Sequence, residues 1–95
     1  MKRFATLFNF CAALVLLTSS AFATTYYSRF SNGFVYDPSY WSTLPNGSGS
    51  FPPNFTSGDT LIIQSGHLYQ TSGNNWTISG PGAKLIIEST GILSL

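Results

Sequence analysis

The sequence predicts an all-β fold, a short right-handed parallel β-helix of two to three rungs with an aromatic N-terminal cap. Three observations carry that reading. Residues 61–71 and 85–95 repeat one phrase: an offset of 24 sets Leu61, Ile62 and Ile63 on Leu85, Ile86 and Ile87, Gln64 on Glu88, Ser65 on Ser89, and Leu68 and Tyr69 on Ile92 and Leu93. Short β-branched runs recurring at that spacing, broken by Gly and Ser, are what one turn of a stacked solenoid looks like. Apolar residues alternate from Asp59 onward, and no window beyond the first 23 residues has helical periodicity. The composition is 16% aromatic and only 7% charged, which suits secreted β-structure built on Ser, Thr, Asn and Gly and argues against disorder. The alternative is a small antiparallel sandwich or meander, since the strands are short and Gly-bounded either way.

Residues 1–23 read as a secretory signal. Lys2 and Arg3 form a basic start, Phe4 to Leu17 an apolar run broken by Thr6 and Asn9, and Ala21-Phe22-Ala23 a small-residue cleavage site. The run is shorter than the roughly 20 residues of a bilayer span. Cleavage leaves residues 24–95 and removes Cys11, the only cysteine. A disulfide framework and a cysteine-based zinc site are then both excluded. Arg29 and Lys84 stand against Asp37, Asp59 and Glu88, a net charge of −1 after cleavage with His67 neutral. Charges so few and scattered argue against nucleic acid or an anionic membrane as partner, and no second apolar stretch offers a membrane span.

Each element has its own warrant. Thr25-Tyr26-Tyr27-Ser28 is a short strand, Ser31-Asn32-Gly33 a turn and Phe34-Val35-Tyr36 a second strand. Asp37-Pro38-Ser39 opens a turn or a single helical turn, with Asp accepting backbone N–H bonds and Pro fixing φ. Residues 45–58 are loop by composition, closing a region at 24–58 of aromatic cap and Pro/Gly/Ser loop. The rungs at 59–95 take strands at 60–64, 67–71, 76–79, 84–88 and 91–95. Alternation puts Leu61, Ile63, Tyr69, Trp76, Ile78, Leu85, Ile87, Leu93 and Leu95 inside, with Ile62 and Ile86 outward. The aromatic stretch is expected to cover the first rung, because an open rung exposes strand edges.

Tyr26-Tyr27-Ser28, Ser31-Asn32-Gly33, Asp37-Pro38, Tyr40-Trp41-Ser42, then Gly58-Asp59-Thr60-Leu61-Ile62-Ile63 and Ser65-Gly66-His67, resemble the opening of large secreted bacterial parallel β-helix proteins. The second half is also similar to the first rungs of the G8 domain, an extracellular all-β module. The resemblance covers nearly all of residues 24–95 and implies a truncated ladder, since members of the first group run to many hundreds of residues.

Candidate chemistry is sparse. His67, Asp59 and a nearby Ser could be drawn as a hydrolase triad, yet no nucleophile elbow is present. Asp37 and Asp59 sit in turns, where capping N–H groups is their ordinary work, and Glu88 ends a strand. Neither a two-carboxylate site nor a metal cluster follows, and no cofactor motif occurs; Ca²⁺ held by backbone carbonyls stays open. Three sequons, at Asn46, Asn54 and Asn75, are the matches chance supplies in such a composition. Flat aromatics invite sugar stacking, and Trp41 with Tyr40, beside the loop, are the speculative glycan contacts.

The expected function is a non-catalytic secreted or cell-surface module, a scaffold for adhesion or glycan contact, self-associating through an open C-terminal rung. The alternative is the N-terminal segment of a β-helix polysaccharide-degrading enzyme whose active site lies outside this chain.

Overall fold

The computed structural model describes residues 23–95, and the expected leader lies outside them except for Ala23. Seven short strands follow in order: β1 Thr25–Ser28, β2 Asn32–Phe34, β3 Trp41–Ser42, β4 Thr60–Ile63, β5 Leu68–Gln70, β6 Lys84–Ile87 and β7 Ile92–Ser94. One 3₁₀ turn, Pro38–Tyr40, precedes β3. Asp37 caps it through Oδ1, which accepts from Ser39 N–H at 3.0 Å. The described chain is therefore all-β, and no helix in it is long and apolar enough to cross a membrane.

The strands form two sheets, ordered β3-β1-β4-β6 and β2-β5-β7. Every pair is parallel except β1 with β3. The repeated runs lie side by side in register, Leu61 on Leu85, Ile62 on Ile86 and Ile63 on Ile87, with Tyr69 on Leu93 in the second sheet. Like side chains thus stack in columns, which is how a parallel ladder shares one apolar face among strands too short to bury it alone. The connecting turn repeats as well: His67 N–H donates to Gln64 O at 3.0 Å and Gly91 N–H to Glu88 O at 2.8 Å. A third tier joins at a different spacing, with Tyr26 beside Leu61 and Gly33 beside Tyr69. β3 closes the outer edge of β1, Trp41 opposite Ser28.

The core is Tyr26, Val35, Trp41, Leu61, Ile63 and Tyr69, each 7% exposed or less. It is concentrated between the first two tiers. Burying side chains of this size contributes roughly 1.5–3 kcal/mol each. Leu85 and Leu93 are only partly buried, while Ile87 and Leu95, expected inside, are 44% and 95% exposed. The reason is positional: among the described residues no tier lies beyond β6 and β7 to cover them.

Two elements depart from expectation. Residues 76–79 form no strand. Trp76 and Ile78 still pack on the core, but the backbone is held by two isolated bonds, Ser79 N–H to Phe55 O at 3.0 Å and Gly58 N–H to Ser79 O at 2.9 Å. Gly58 has φ +76°, and a Cβ there would lie 2.3 Å from Pro81 O, so this crossing of backbones requires glycine. The second departure is β2, which begins at Asn32 where a turn was expected, because Gly33 sits in the ladder under two aromatic rings.

Candidate functional site

A shallow groove lies on the described surface at the end of β1. Its wall is built from three segments: Arg29 and Phe30 after β1, Ser39 and Tyr40 on the 3₁₀ turn, and Gly49, Ser50 and Phe51 on the loop after β3. The groove is open, with a volume of about 710 Å³.

Tyr69, on β5 and fully buried, anchors two of these segments to the core. Its hydroxyl accepts from Arg29 N–H at 2.9 Å and Phe30 N–H at 3.2 Å and donates to Tyr40 O. Burial raises its pKa above the usual tyrosine value, against the lowering effect of the Phe30 and Arg29 N–H groups. One phenol thereby ties two walls of the groove to the ladder. Gly33 makes room for it: a Cβ at that position would stand 2.4 Å from the Tyr40 ring and 2.9 Å from that of Tyr69.

Arg29 ties down the third wall. Its guanidinium donates to Trp41 O at 2.9 Å, Gly49 O at 3.1 Å and Gly47 O. A planar fork can satisfy several diverging carbonyls at once, which a single ammonium cannot. Ser42 Oγ, fully buried, accepts from Gly49 N–H at 2.8 Å and Leu44 N–H at 3.1 Å, so the loop is pinned from both sides.

Two exposed aromatic side chains line the groove. Phe30 is 48% and Phe51 56% exposed, and Phe30 leans edge-on against Tyr40 at 5.4 Å between centroids. Ser39 and Tyr40 line the same groove, the Ser39 hydroxyl donating to Asp37 Oδ1 at 2.8 Å. Apolar platforms around a few polar groups suit a ring with one apolar face and hydroxyls at its rim.

The two expected contacts part company. Tyr40 is half-buried and forms part of the wall. Trp41 requires correction. It lies in β3 rather than beside a loop, is 0% exposed, and stacks on Trp76 at 6.1 Å with edge contacts to Tyr69 and Phe55. Its indole N–H donates to Val35 O at 3.0 Å. As the largest apolar side chain with a strand position, it serves as the keystone of the core and presents no face to a ligand. Phe30 and Phe51 were the residues sequence reasoning passed over; their signal was large apolar side chains in turn segments that own no ladder position.

The residues of the imagined triad are placed apart in role. Ser28 Oγ lies 2.6 Å from His67 Nδ1 and accepts from Gln64 N–H at 2.9 Å, but Ser28 is fully buried. A nucleophilic serine faces the other ring nitrogen of its histidine and opens on substrate. Asp59 instead accepts from Thr24 N–H at 2.9 Å, anchoring β1 to β4. Glu88 accepts from Ser65 N–H at 3.0 Å. Among the described residues no three His, Cys, Asp or Glu side chains gather as a metal site.

No protein-family model, curated protein or solved structure matches the chain.

Proposed function

We infer that this chain is an exported, non-catalytic β module, the N-terminal scaffold of a secreted or surface protein, whose groove receives a glycan ring. The observation that carries the reading is the pair of half-exposed phenylalanines, Phe30 and Phe51, lining one groove together with Ser39 and Tyr40. A soluble surface places isolated apolar residues freely, but two exposed rings lining one groove whose walls are tied by buried hydrogen bonds fit a built platform better. The scaffold in this reading is a three-rung parallel β-helix, its rungs β1–β2, β4–β5 and β6–β7, in line with the resemblance to the opening of bacterial β-helix proteins. Its support is that both ladders advance through the same three tiers.

A glycan array with the exported protein tests it, wild type beside Phe30→Ala and Phe51→Ala. Each substitution should cost on the order of 1–3 kcal/mol of the affinity found, by analogy with stacking of bases on aromatic side chains. A wild-type protein that retains no glycan, or variants that bind unchanged, would remove the reading.

A further inference from the structure

Two Asn-Gly steps occur in the chain, Asn32-Gly33 and Asn46-Gly47, and the fold treats them in opposite ways. A glycine after asparagine leaves the following backbone nitrogen uncrowded, since no Cβ stands beside it. Gly33 is nonetheless closed to chemistry. It is buried within β2, between Leu68 N–H donating to Ser31 O at 2.8 Å and Val35 N–H to Gln70 O at 3.1 Å, so the ladder turns its own N–H onto β5. Asn46 is exposed in the loop after β3, and Gly47 N–H is held by a turn bond to Leu44 O at 3.0 Å.

The Asn46 side chain is also set for attack. Ser48 N–H donates to Asn46 Oδ1 at 3.0 Å, and the Ser48 hydroxyl donates to the same oxygen at 2.7 Å. Two donors on one amide oxygen draw electrons from Cγ and stabilise the negative charge that develops on Oδ1 when a nucleophile adds there. Asn54 has a similar set, from Thr56 N–H at 3.0 Å and the Ser57 hydroxyl at 2.8 Å, but its next residue is Phe55, which packs on the core. A side chain there crowds the nitrogen. Of the described asparagines, only Asn46 joins a polarised amide to an accessible glycine nitrogen.

We propose that Asn46 is a site of spontaneous backbone modification, a clock that loosens the third wall of the groove. When the turn bond opens, Gly47 N attacks Asn46 Cγ. The new Cγ–N bond forms, the Cγ–Nδ2 bond breaks, and the proton lost from Gly47 N departs with the amine as ammonia. Water then opens the cyclic imide at either carbonyl. Addition at Cγ gives an aspartyl residue; addition at the main-chain carbonyl gives an isoaspartyl residue, its chain routed through Cβ and lengthened by a methylene. The added length falls where the loop is anchored. Gly47 O accepts from the Arg29 guanidinium, and a Cβ on Gly47 would stand 3.1 Å from Arg29 Cγ. The same guanidinium holds Trp41 O and Gly49 O, so a displaced Gly47 weakens the tie on Gly49, Ser50 and Phe51. The inference stands whatever the groove binds.

Ageing the exported chain in warm, mildly alkaline buffer tests it, with wild type, Ser48→Ala and Asn46→Asp followed by peptide mapping and isoaspartyl methyltransferase labelling. Isoaspartate is expected at position 46 and at least about tenfold more slowly at position 32, which a strand must open to expose. Ser48→Ala should slow the reaction about fivefold in the folded protein, the worth of one hydrogen bond. That difference should vanish in urea, where the turn is gone. Amide exchange at Gly49 and Leu44 should accelerate with the isoaspartyl fraction. It should stay at the wild-type rate in fresh Asn46→Asp, which has the new charge without the added methylene. A folded chain that keeps Asn46 intact while the urea-unfolded chain loses it overturns the proposal. So does Asn32 reacting as fast as Asn46, a folded Ser48→Ala that ages like wild type, or isoaspartate at position 46 with unchanged exchange.

Discussion

Replacing Tyr69 by Phe isolates the hydroxyl that ties the groove to the ladder, and the cost can be worked from its partners. The oxygen takes part in three hydrogen bonds, which at about 1 kcal/mol each would suggest a loss near 3 kcal/mol. That sum is too large. Arg29 N–H also donates to Tyr40 O at 2.9 Å, so in the variant this donor and this acceptor keep each other. Only Phe30 N–H loses its acceptor outright, and Phe30 is 48% exposed, so water can reach the region. The ring itself remains and opens no large cavity. The expected loss is about 1–2 kcal/mol, read as a shift in urea midpoint at neutral pH with unchanged m-value. The same variant carries a pH signature. The folded-state pKa of Tyr69 is raised, chiefly by burial, and that of Tyr26 is raised by burial and by the Asp59 carboxylate. Groups raised in the folded state contribute stability that is complete below their unfolded pKa of about 10 and lost as pH climbs toward the folded values. Wild type should therefore lose up to about 1.4 kcal/mol per pH unit for each of the two tyrosines above pH 10, and Tyr69→Phe should lose one of those contributions. The stability gap between the two proteins narrows as the solution is made alkaline. A gap that stays constant or widens from pH 9 to 11, or a neutral-pH loss below about 0.5 kcal/mol, would refute the placement of this hydroxyl.

Two further substitutions probe the same frame. Gly33→Ala drives a methyl into the Tyr40 and Tyr69 rings and should destabilise by about 1–3 kcal/mol, seen as a lower urea midpoint; an unchanged midpoint would mean the rings are free to move aside. Arg29→Lys keeps the charge but cannot reach the carbonyls of Trp41, Gly47 and Gly49 together, so about 1–2 kcal/mol is lost and amide exchange at Gly49 and Leu44 should accelerate; exchange as slow as in wild type would show that Ser42 alone holds the loop.

The parallel pairing of the repeat was legible because columns of like residues leave a period in the sequence, and Leu61-Ile62-Ile63 over Leu85-Ile86-Ile87 is that period. The first tier was not. Tyr26 stands where the repeat has leucine, and the long loop before β4 changes the spacing, so no offset reveals it. Gly33 misled because glycine signals both turns and close packing, and only the rings of Tyr40 and Tyr69 decide between them. Trp76 and Ile78 alternate like a strand yet meet an irregular neighbour at Phe55 and Gly58, so the side chains pack while the backbone forms no ladder. The groove was hidden for a related reason. Its walls come from three separate segments, and nothing local marks Phe30 and Phe51 as lining one groove.

The long reach of the strand pairs bears on when the fold can begin. Parallel neighbours cannot be joined by a tight hairpin, and here Thr24 meets Asp59 and Ser28 meets Gln64 across separations of 35 and 36 residues. Only the two-residue β3 gives β1 a nearer partner. Closing such loops before any ladder rewards them is slow, and it needs the later strand to be present. A chain emerging from its N-terminus therefore has no core to collapse onto until β4 and β5 have been made, when Leu61, Ile63 and Tyr69 arrive together. Under the export proposed above, threading through a membrane in extended form gains a natural delay from that arrangement, with the fold starting only after most of the length has appeared.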